Sequence, residues 1–359
     1  MAAIVLAGGG TAGHIEPALA VARAWKTAHP DDHIVCVGTR NGLENTLVPA
    51  AGFNLAHIPK VSISRRPSIS WLRIPIDLIA AVRASQLILK DAELLIGFGG
   101  YVSAPAYIAA RIAGVPIVVH EANVKAGWAN RVGALLTPYV AVANHVQSRK
   151  FSDALITGLP LRTDVAQAYV DSSSNFPAAR QAAKRRLGFA DDSPLIFVMG
   201  GSQGSVAINA AIAGAVGTLL AKGFSILHSV GRANTLPDSY SAYRCVSYVD
   251  AMADAYLASD LIIARSGAVT CSEFRALGRY ALFVPLPLGN GEQFLNADSL
   301  VRDGRAQVLE QSRLNAEYLI KHIDELLSQS KQASIEGSGI ELDAASKIVA
   351  LGEFAIGER

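Results

Sequence analysis

Three glycine-rich turns carry most of the chemistry-bearing residues of this chain. Gly8-Gly9-Gly10-Thr11-Ala12-Gly13 runs directly into His14, with Pro17 close behind; later turns read Gly200-Gly201-Ser202-Gln203-Gly204 and Arg265-Ser266-Gly267-Ala268-Val269-Thr270-Cys271-Ser272-Glu273. A small-residue turn between a strand and a helix lets backbone N–H groups approach phosphate oxygens, and the helix N-terminus adds about half a positive charge. Diphosphate binding is the chemistry expected there, and a tight turn needed only for folding is the alternative. The first turn fits G-x-G-x-x-G through Gly8, Gly10 and Gly13. The second strand, however, ends Cys36-Val37-Gly38-Thr39-Arg40, without the carboxylate that a dinucleotide ribose requires. A nicotinamide dinucleotide is therefore disfavoured.

Two titratable groups stand beside these turns. His14, where a helix should begin, either caps that helix or acts as a general base near neutral pH. Glu273, one or two turns into the helix after Gly267, either faces solvent or accepts the hydroxyls of a ribose. The pair His120-Glu121 is open in the same way, with Glu121 an alternative base and a structural role equally available.

The elements needed to position these groups are legible as short apolar runs at 4–7, 33–37, 94–97, 117–120 and 139–143, alternating with helical stretches, as in a parallel α/β sheet. The rhythm breaks across 169–192 and restarts at 195–199, 224–229, 261–264 and 281–284. Two α/β domains in tandem are expected, 1–162 and 163–341, with a last helical segment at 342–359 free to pack back on the first. At 359 residues, 51% apolar and 17% charged, the chain can bury two cores, and a net charge of +2 gives no reason to expect nucleic acid. Cys36, Cys245 and Cys271 lack paired or metal-ligand spacing, which reads as a reducing compartment without a zinc site. The opening residues read as a strand and not a leader, and no apolar run reaches the ~18 residues of a spanning helix.

Several further stretches, taken in order, resemble the MurG family of undecaprenyl-diphospho-muramoylpentapeptide N-acetylglucosaminyltransferases over almost the whole chain. They are Gly9 to His14 with Pro17, Gly99-Gly100-Tyr101-Val102-Ser103-Ala104-Pro105, His120-Glu121-Ala122-Asn123, Gly158-Leu159-Pro160-Leu161-Arg162, the turn after Gly200, Arg265-Ser266-Gly267-Ala268, and Gln293 with Asn296. The resemblance implies a GT-B fold, two Rossmann-like domains with parallel sheets facing across a cleft. The N-terminal domain would face acceptor and membrane, and the C-terminal one would bind UDP-GlcNAc. It implies transfer of GlcNAc from UDP-GlcNAc to lipid I, forming the β1,4 linkage of lipid II with inversion.

By position, the implied donor site comprises Thr11, Ala12, Gly13, Asn123, Arg162, Ser202, Val249, Ala268, Val269, Thr270, Cys271, Ser272, Glu273 and Gln293. Ser202 would meet the diphosphate, Glu273 the ribose, the backbone at Val249 the uracil, and Asn123 and Gln293 the sugar. Tyr101 and Ser103 are the acceptor-side candidates. His14 is the leading base. Two departures are Ala12, where many members have Gly, and Glu292 beside Gln293, where the family often has Gln.

The chain has no D-x-D triplet, so neither a metal nor another cofactor is expected, and helix N-termini with Arg162 would take the charge of the leaving UDP. The stretch 61–82 holds Arg65, Arg66, Trp71, Leu72, Arg73, Ile74 and Ile76, a mixture suited either to an amphipathic core helix or to a bilayer interface. With a lipid-linked acceptor, the expected location is peripheral, on the cytoplasmic face of the bacterial cell membrane. The partners implied are the anionic lipid surface and a cell-wall synthesis complex serving cell shape and division. The rivals are a UDP-GlcNAc 2-epimerase, a transferase with a soluble acceptor, and a non-catalytic nucleotide-sugar-binding subunit.

Overall fold

The structure, a computed structural model, describes residues 2–61, 73–146, 148–240, 242–287 and 291–358. The chain divides into two compact units, residues 1–162 with 341–359, and residues 163–340. Arg65, Arg66, Trp71 and Leu72 lie outside the described residues.

The first unit is built on a seven-stranded parallel sheet. Its strands are β1 (Ala3–Gly8), β2 (His33–Gly38), β3 (Asn54–His57), β4 (Leu94–Gly99), β5 (Ile117–Glu121), β6 (Val140–Val142) and β7 (Leu155–Ile156), in the order β3-β2-β1-β4-β5-β6-β7. Because side chains alternate across a strand, Ile4 and Leu6 feed one core layer, and Val5 and Ala7 the other. The first layer lies beneath α1 (Ala12–Ala28) and α13 (Ala344–Gly357); the second lies beneath α3 (Ile74–Ile88) and α4 (Ser103–Ala113). Gly352 of α13 sits so close to Trp25 that a Cβ there would come within 2.8 Å of the indole. The last helix thus returns to the first unit.

The second unit holds a six-stranded parallel sheet of β8 (Leu195–Met199), β9 (Ser225–Ser229), β10 (Tyr243–Val246), β11 (Leu261–Ala264), β12 (Ala281–Phe283) and β13 (Ala306–Val308). Its order is β10-β9-β8-β11-β12-β13. The segment where the strand rhythm breaks forms α6 (Thr163–Ser174) and α7 (Phe176–Arg186), with Ser172, Ser173 and Ser174 ending α6. Helix α8 (Val206–Ala221) and α12 (Ala316–Gln332) cover one face around Ile196, Val198 and Ile263.

In both units the winding reverses between two central strands, β1 and β4 in one, β8 and β11 in the other. Loops leaving the carboxyl ends of such strands diverge and open a crevice, which is where ligands bind in open α/β sheets. All three glycine-rich turns leave those strands.

Candidate active site

In the first unit the turn after β1 is packed to its limit. A Cβ at Gly8 would lie 2.6 Å from the His14 carbonyl oxygen, so glycine alone lets strand and helix meet there. Thr11 has the extended backbone of an N-cap (φ −136°), but its side chain makes no cap bond; its Oγ1 is 3.2 Å from His14 Nδ1. The imidazole lies over the turn after β4, where Gly99 (φ +91°) and Gly100 (φ +80°) are both left-handed; a Cβ on Gly99 would sit 3.3 Å from its Cδ2. Burial lowers the His14 pKa, opposed by the charge of Glu121 and a backbone hydrogen bond to Gly9. His14 is thus a half-buried imidazole at the switch point, its pKa held below the ordinary value.

Glu121 ends β5 and is buried, with every side of its carboxylate engaged. Its oxygens accept from Asn123 N (2.9 Å), Asn123 Nδ2 (3.0 Å), Gly127 N (2.9 Å) and Asn130 Nδ2 (3.0 Å). Those four N–H groups fix the carboxylate against the 122–127 loop and the helix that follows it. His120 is likewise structural: fully buried and donor to the Gly158 carbonyl from Nε2 (3.1 Å), it is held down to about pKa 4 by burial.

Ser103 also departs from expectation. It is completely buried, and its hydroxyl lies 2.8 Å from Ala7 O and 2.7 Å from Gly99 O, tying β1 to β4. That staple leaves it no access to an acceptor. Tyr101, by contrast, is half-exposed beside the turn, with Lys60 Nζ 5.3 Å from its ring centroid. Thr11 is exposed, while Ala12, Gly13, Asn123 and Arg162 are half-buried.

In the second unit Ser202 is half-buried in the turn after β8, and the next helix, α8, is capped by Ser205 Oγ accepting from Ile208 N (3.3 Å). Arg265, at the end of β11, ties neighbouring strand ends together. It donates to Ser205 Oγ (2.7 Å), Val284 O (2.8 Å), Pro285 O (3.0 Å) and Gln311 Oε1 (2.6 Å). Helix α10 (Ala268–Ala276) then starts at the switch point with Gly267 as its N-cap.

Ala268, Val269 and Thr270 form the first turn of α10. Cys271 already donates its N–H to Gly267 O (2.9 Å), and its thiol is buried and pushed up to about pKa 12. Ser272 is buried as well, so these two can support a ligand only through the helix backbone. Glu273 is 2% exposed, and its Oε2 accepts from Tyr256 Oη at 2.7 Å. It does not face open solvent. Val249 is buried three residues beyond β10. Gln293, in the first turn of the helix Glu292–Arg302, uses its Oε1 to accept from Leu286 N (2.9 Å). Among the described residues no group of three or more His, Cys, Asp or Glu is arranged to hold a metal.

Glu44, Asn130, Tyr256 and Gln311 also belong to the site's framework, and no motif in the sequence marks them. Each acts on a residue the motifs did reveal, Asn130 from nine residues away and the others from 17 to 46, and only Gly38 and Gly42, just before the Glu44 helix, are small enough to admit an inward side chain there.

Residues 4–142 match the N-terminal domain of glycosyltransferase family 28, and residues 195–349 match its C-terminal domain. The chain is 42% identical, over 99% of its length and 98% of the relative's, to the UDP-N-acetylglucosamine–N-acetylmuramyl-(pentapeptide) pyrophosphoryl-undecaprenol N-acetylglucosamine transferase of Rhodococcus erythropolis. This chain belongs to the MurG family. The enzyme of the same description from Paenarthrobacter aurescens is 44% identical over 90% of this chain and 87% of its own. The crystal structure of Acinetobacter baumannii MurG superposes with a TM-score of 0.70 over 99% of this chain and 100% of that one, at 24% identity. The two parallel-sheet units are thus those of a GT-B glycosyltransferase. The UDP-GlcNAc 2-epimerase of Neisseria meningitidis shares that fold at 13% identity, with a TM-score of 0.62 over 98% of this chain and 99% of that one.

Proposed function

We propose that this MurG-family chain transfers GlcNAc from UDP-GlcNAc to undecaprenyl-diphospho-MurNAc-pentapeptide, producing lipid II. The observation that carries the reading is identity of 42% over nearly the full length with a transferase of that description, 98% of whose own length is spanned. Fold likeness to an epimerase at 13% identity supports no rival activity.

In this reaction the C4 hydroxyl of the MurNAc acceptor attacks C1 of the donor sugar. The O4–C1 bond forms as the C1–phosphate oxygen bond breaks, UDP leaves, and displacement from the opposite face turns the α donor into a β1,4 product. His14 takes the hydroxyl proton. In the tautomer whose Nδ1–H donates to Thr11 Oγ1, Nε2 carries the required lone pair. Charge on the departing diphosphate falls to Ser202, Arg162 and the amino ends of α8 and α10, without a resident metal or other cofactor. Glu273, oriented by Tyr256, takes the ribose; Val249 the uracil; Thr11, Ala12, Gly13, Asn123 and Gln293 complete the donor contacts; and Tyr101 lies on the acceptor side.

The acceptor's polyprenyl chain requires the enzyme to work at a membrane. No helix among the described residues is long and apolar enough to cross one. The outer face of α3 supports peripheral attachment at the cytoplasmic face: Ile76, Ile79 and Leu87 are 68%, 53% and 79% exposed, with exposed Arg73 and Arg83 on the same helix or its cap. Participation in a cell-wall synthesis complex, and through it in cell shape and division, follows from the same reading. Acceptor-dependent UDP release with EDTA present tests both transfer and independence from metal. Release without acceptor, or activity abolished by EDTA, would contradict it.

A further inference from the structure

We infer that Glu44 is the positioning residue of the His14 turn, its buried carboxylate standing where a glycine-rich turn would otherwise receive an anion. This rests on the reading of His14 as the base for transfer to lipid I.

Glu44 opens α2 (Glu44–Ala50) and is wholly buried. Its Oε2 accepts from Gly10 N (3.1 Å), and its Oε1 accepts from Thr39 N (2.8 Å) and Thr39 Oγ1 (3.2 Å). Three glycines clear the space for the side chain. A Cβ would lie 2.0 Å from Glu44 Oε2 at Gly42, 2.3 Å from its Cγ at Gly38, and 3.3 Å from its Oε1 at Gly9. A carboxylate enclosed in this way is tolerable only where donors converge on it, and here two of the three donors are backbone or side-chain groups of Thr39, while the third is the amide at the centre of the catalytic turn.

The brace extends to the acceptor side. Thr39 Oγ1 is 3.4 Å from Tyr101 Oη, and the Tyr101 ring closes over Gly10, where a Cβ would come within 2.5 Å of Cε1. Glu44 therefore holds Gly10 directly and reaches Tyr101 through Thr39. Gly10 in turn stands four residues before His14, whose ring is bonded to Thr11 Oγ1 and to the Gly9 backbone. Because the Gly10 amide is occupied by Glu44, the first turn is not an open diphosphate cradle at that amide.

Glu44→Gln preserves volume but sets an NH2 group against one of the N–H donors, so one side of the brace must open. Expected in the purified full-length protein is a fall in kcat with a short-chain lipid I analogue of about tenfold or more, the scale of a misplaced catalytic group, with UDP-GlcNAc affinity by calorimetry held within about twofold. The His14 imidazole, followed by NMR, should titrate higher than in the wild type, because a loosened turn admits water and relieves desolvation. Simple loss of a nearby negative charge would move it lower. The charge that does bear on His14, from Glu121, is untouched.

A folded Glu44→Gln protein with wild-type kcat, an equal loss of donor affinity, or a His14 titration unmoved or lowered would overturn the inference. If that variant does not fold, Thr39→Val keeps the backbone contact and removes the hydroxyl. It should lower kcat about threefold and raise the His14 titration, and no change in either overturns the inference. An inactive wild type whose His14 titration still rises in Glu44→Gln would sink the transfer reading and leave the role of Glu44 standing.

Discussion

His14→Ala should lower turnover by ~10²-fold or more with a smaller effect on donor affinity, the usual cost of losing a general base. A variant turning over like the wild type would pass the role of base to Glu121 or to solvent. The pH profile is a second check. A base works unprotonated, and burial lowers the His14 pKa below its ordinary 6.5. The acid limb of kcat/KM should therefore fall below pH 6.5, with a plateau above it; a limb at or above that value would exclude His14. Glu273→Ala should weaken UDP-GlcNAc by about 1–3 kcal/mol, because ribose hydroxyls lose their partner in a closed site. Unchanged calorimetric affinity would remove Glu273 from the donor site. These groups were legible because each follows a glycine turn that a short sequence window reveals. Glu44 and Tyr256 were not, since the first is 34 residues from Gly10 and the second 17 from Glu273, and nothing local marks their direction.

Strands show the same division between local and long-range information. The runs expected from continuous apolar residues became β1, β2, β4, β5, β6, β8, β9, β11 and β12, all within about two residues of the expected ends. The unrecognised ones, β3, β7, β10 and β13, are the edge strands of the two sheets. An edge strand is flanked on one side only and buries few side chains: Leu155 and Ile156 of β7 are 46% and 42% exposed, so no buried run announces it. The central strands also fix an acid response. His120 in β5 and His228 in β9 are buried and held down to about 4 from 6.5. Between those values the unfolded chain binds more protons, so the stability is complete above about pH 6.5 and declines as pH falls toward 4. Each histidine can account for a loss on the order of 3 kcal/mol. Denaturant titrations from pH 7 to 4 should show this decline, reduced in His228→Gln. A flat profile would mean that neither imidazole is excluded from water.

At the scale of the whole molecule, each of the two parallel-sheet units places its glycine-rich turns after β1, β8 and β11 at a reversal of strand order, so the fold accounts for where these turns lie and the family for what the chain is. Membrane attachment belongs to this scale. On the proposed membrane reading, Arg65, Arg66 and Arg73 should each contribute roughly 1 kcal/mol near anionic headgroups, a share that salt screens, and the exposed apolar residues of α3 should supply a remainder that salt leaves. Co-sedimentation with anionic liposomes should weaken in Arg65/Arg66/Arg73→Ser and, at high salt, in Ile76/Ile79→Ser. Equal binding by all proteins, or none by the wild type, would place the membrane face elsewhere. The transfer itself is tested most directly by analysing the products of purified wild-type protein given UDP-GlcNAc with and without a short-chain lipid I analogue. Expected are UDP and a disaccharide lipid whose new anomeric centre is β, formed only with acceptor. Epimerised nucleotide sugar or free GlcNAc formed without acceptor, or an α product, would contradict it.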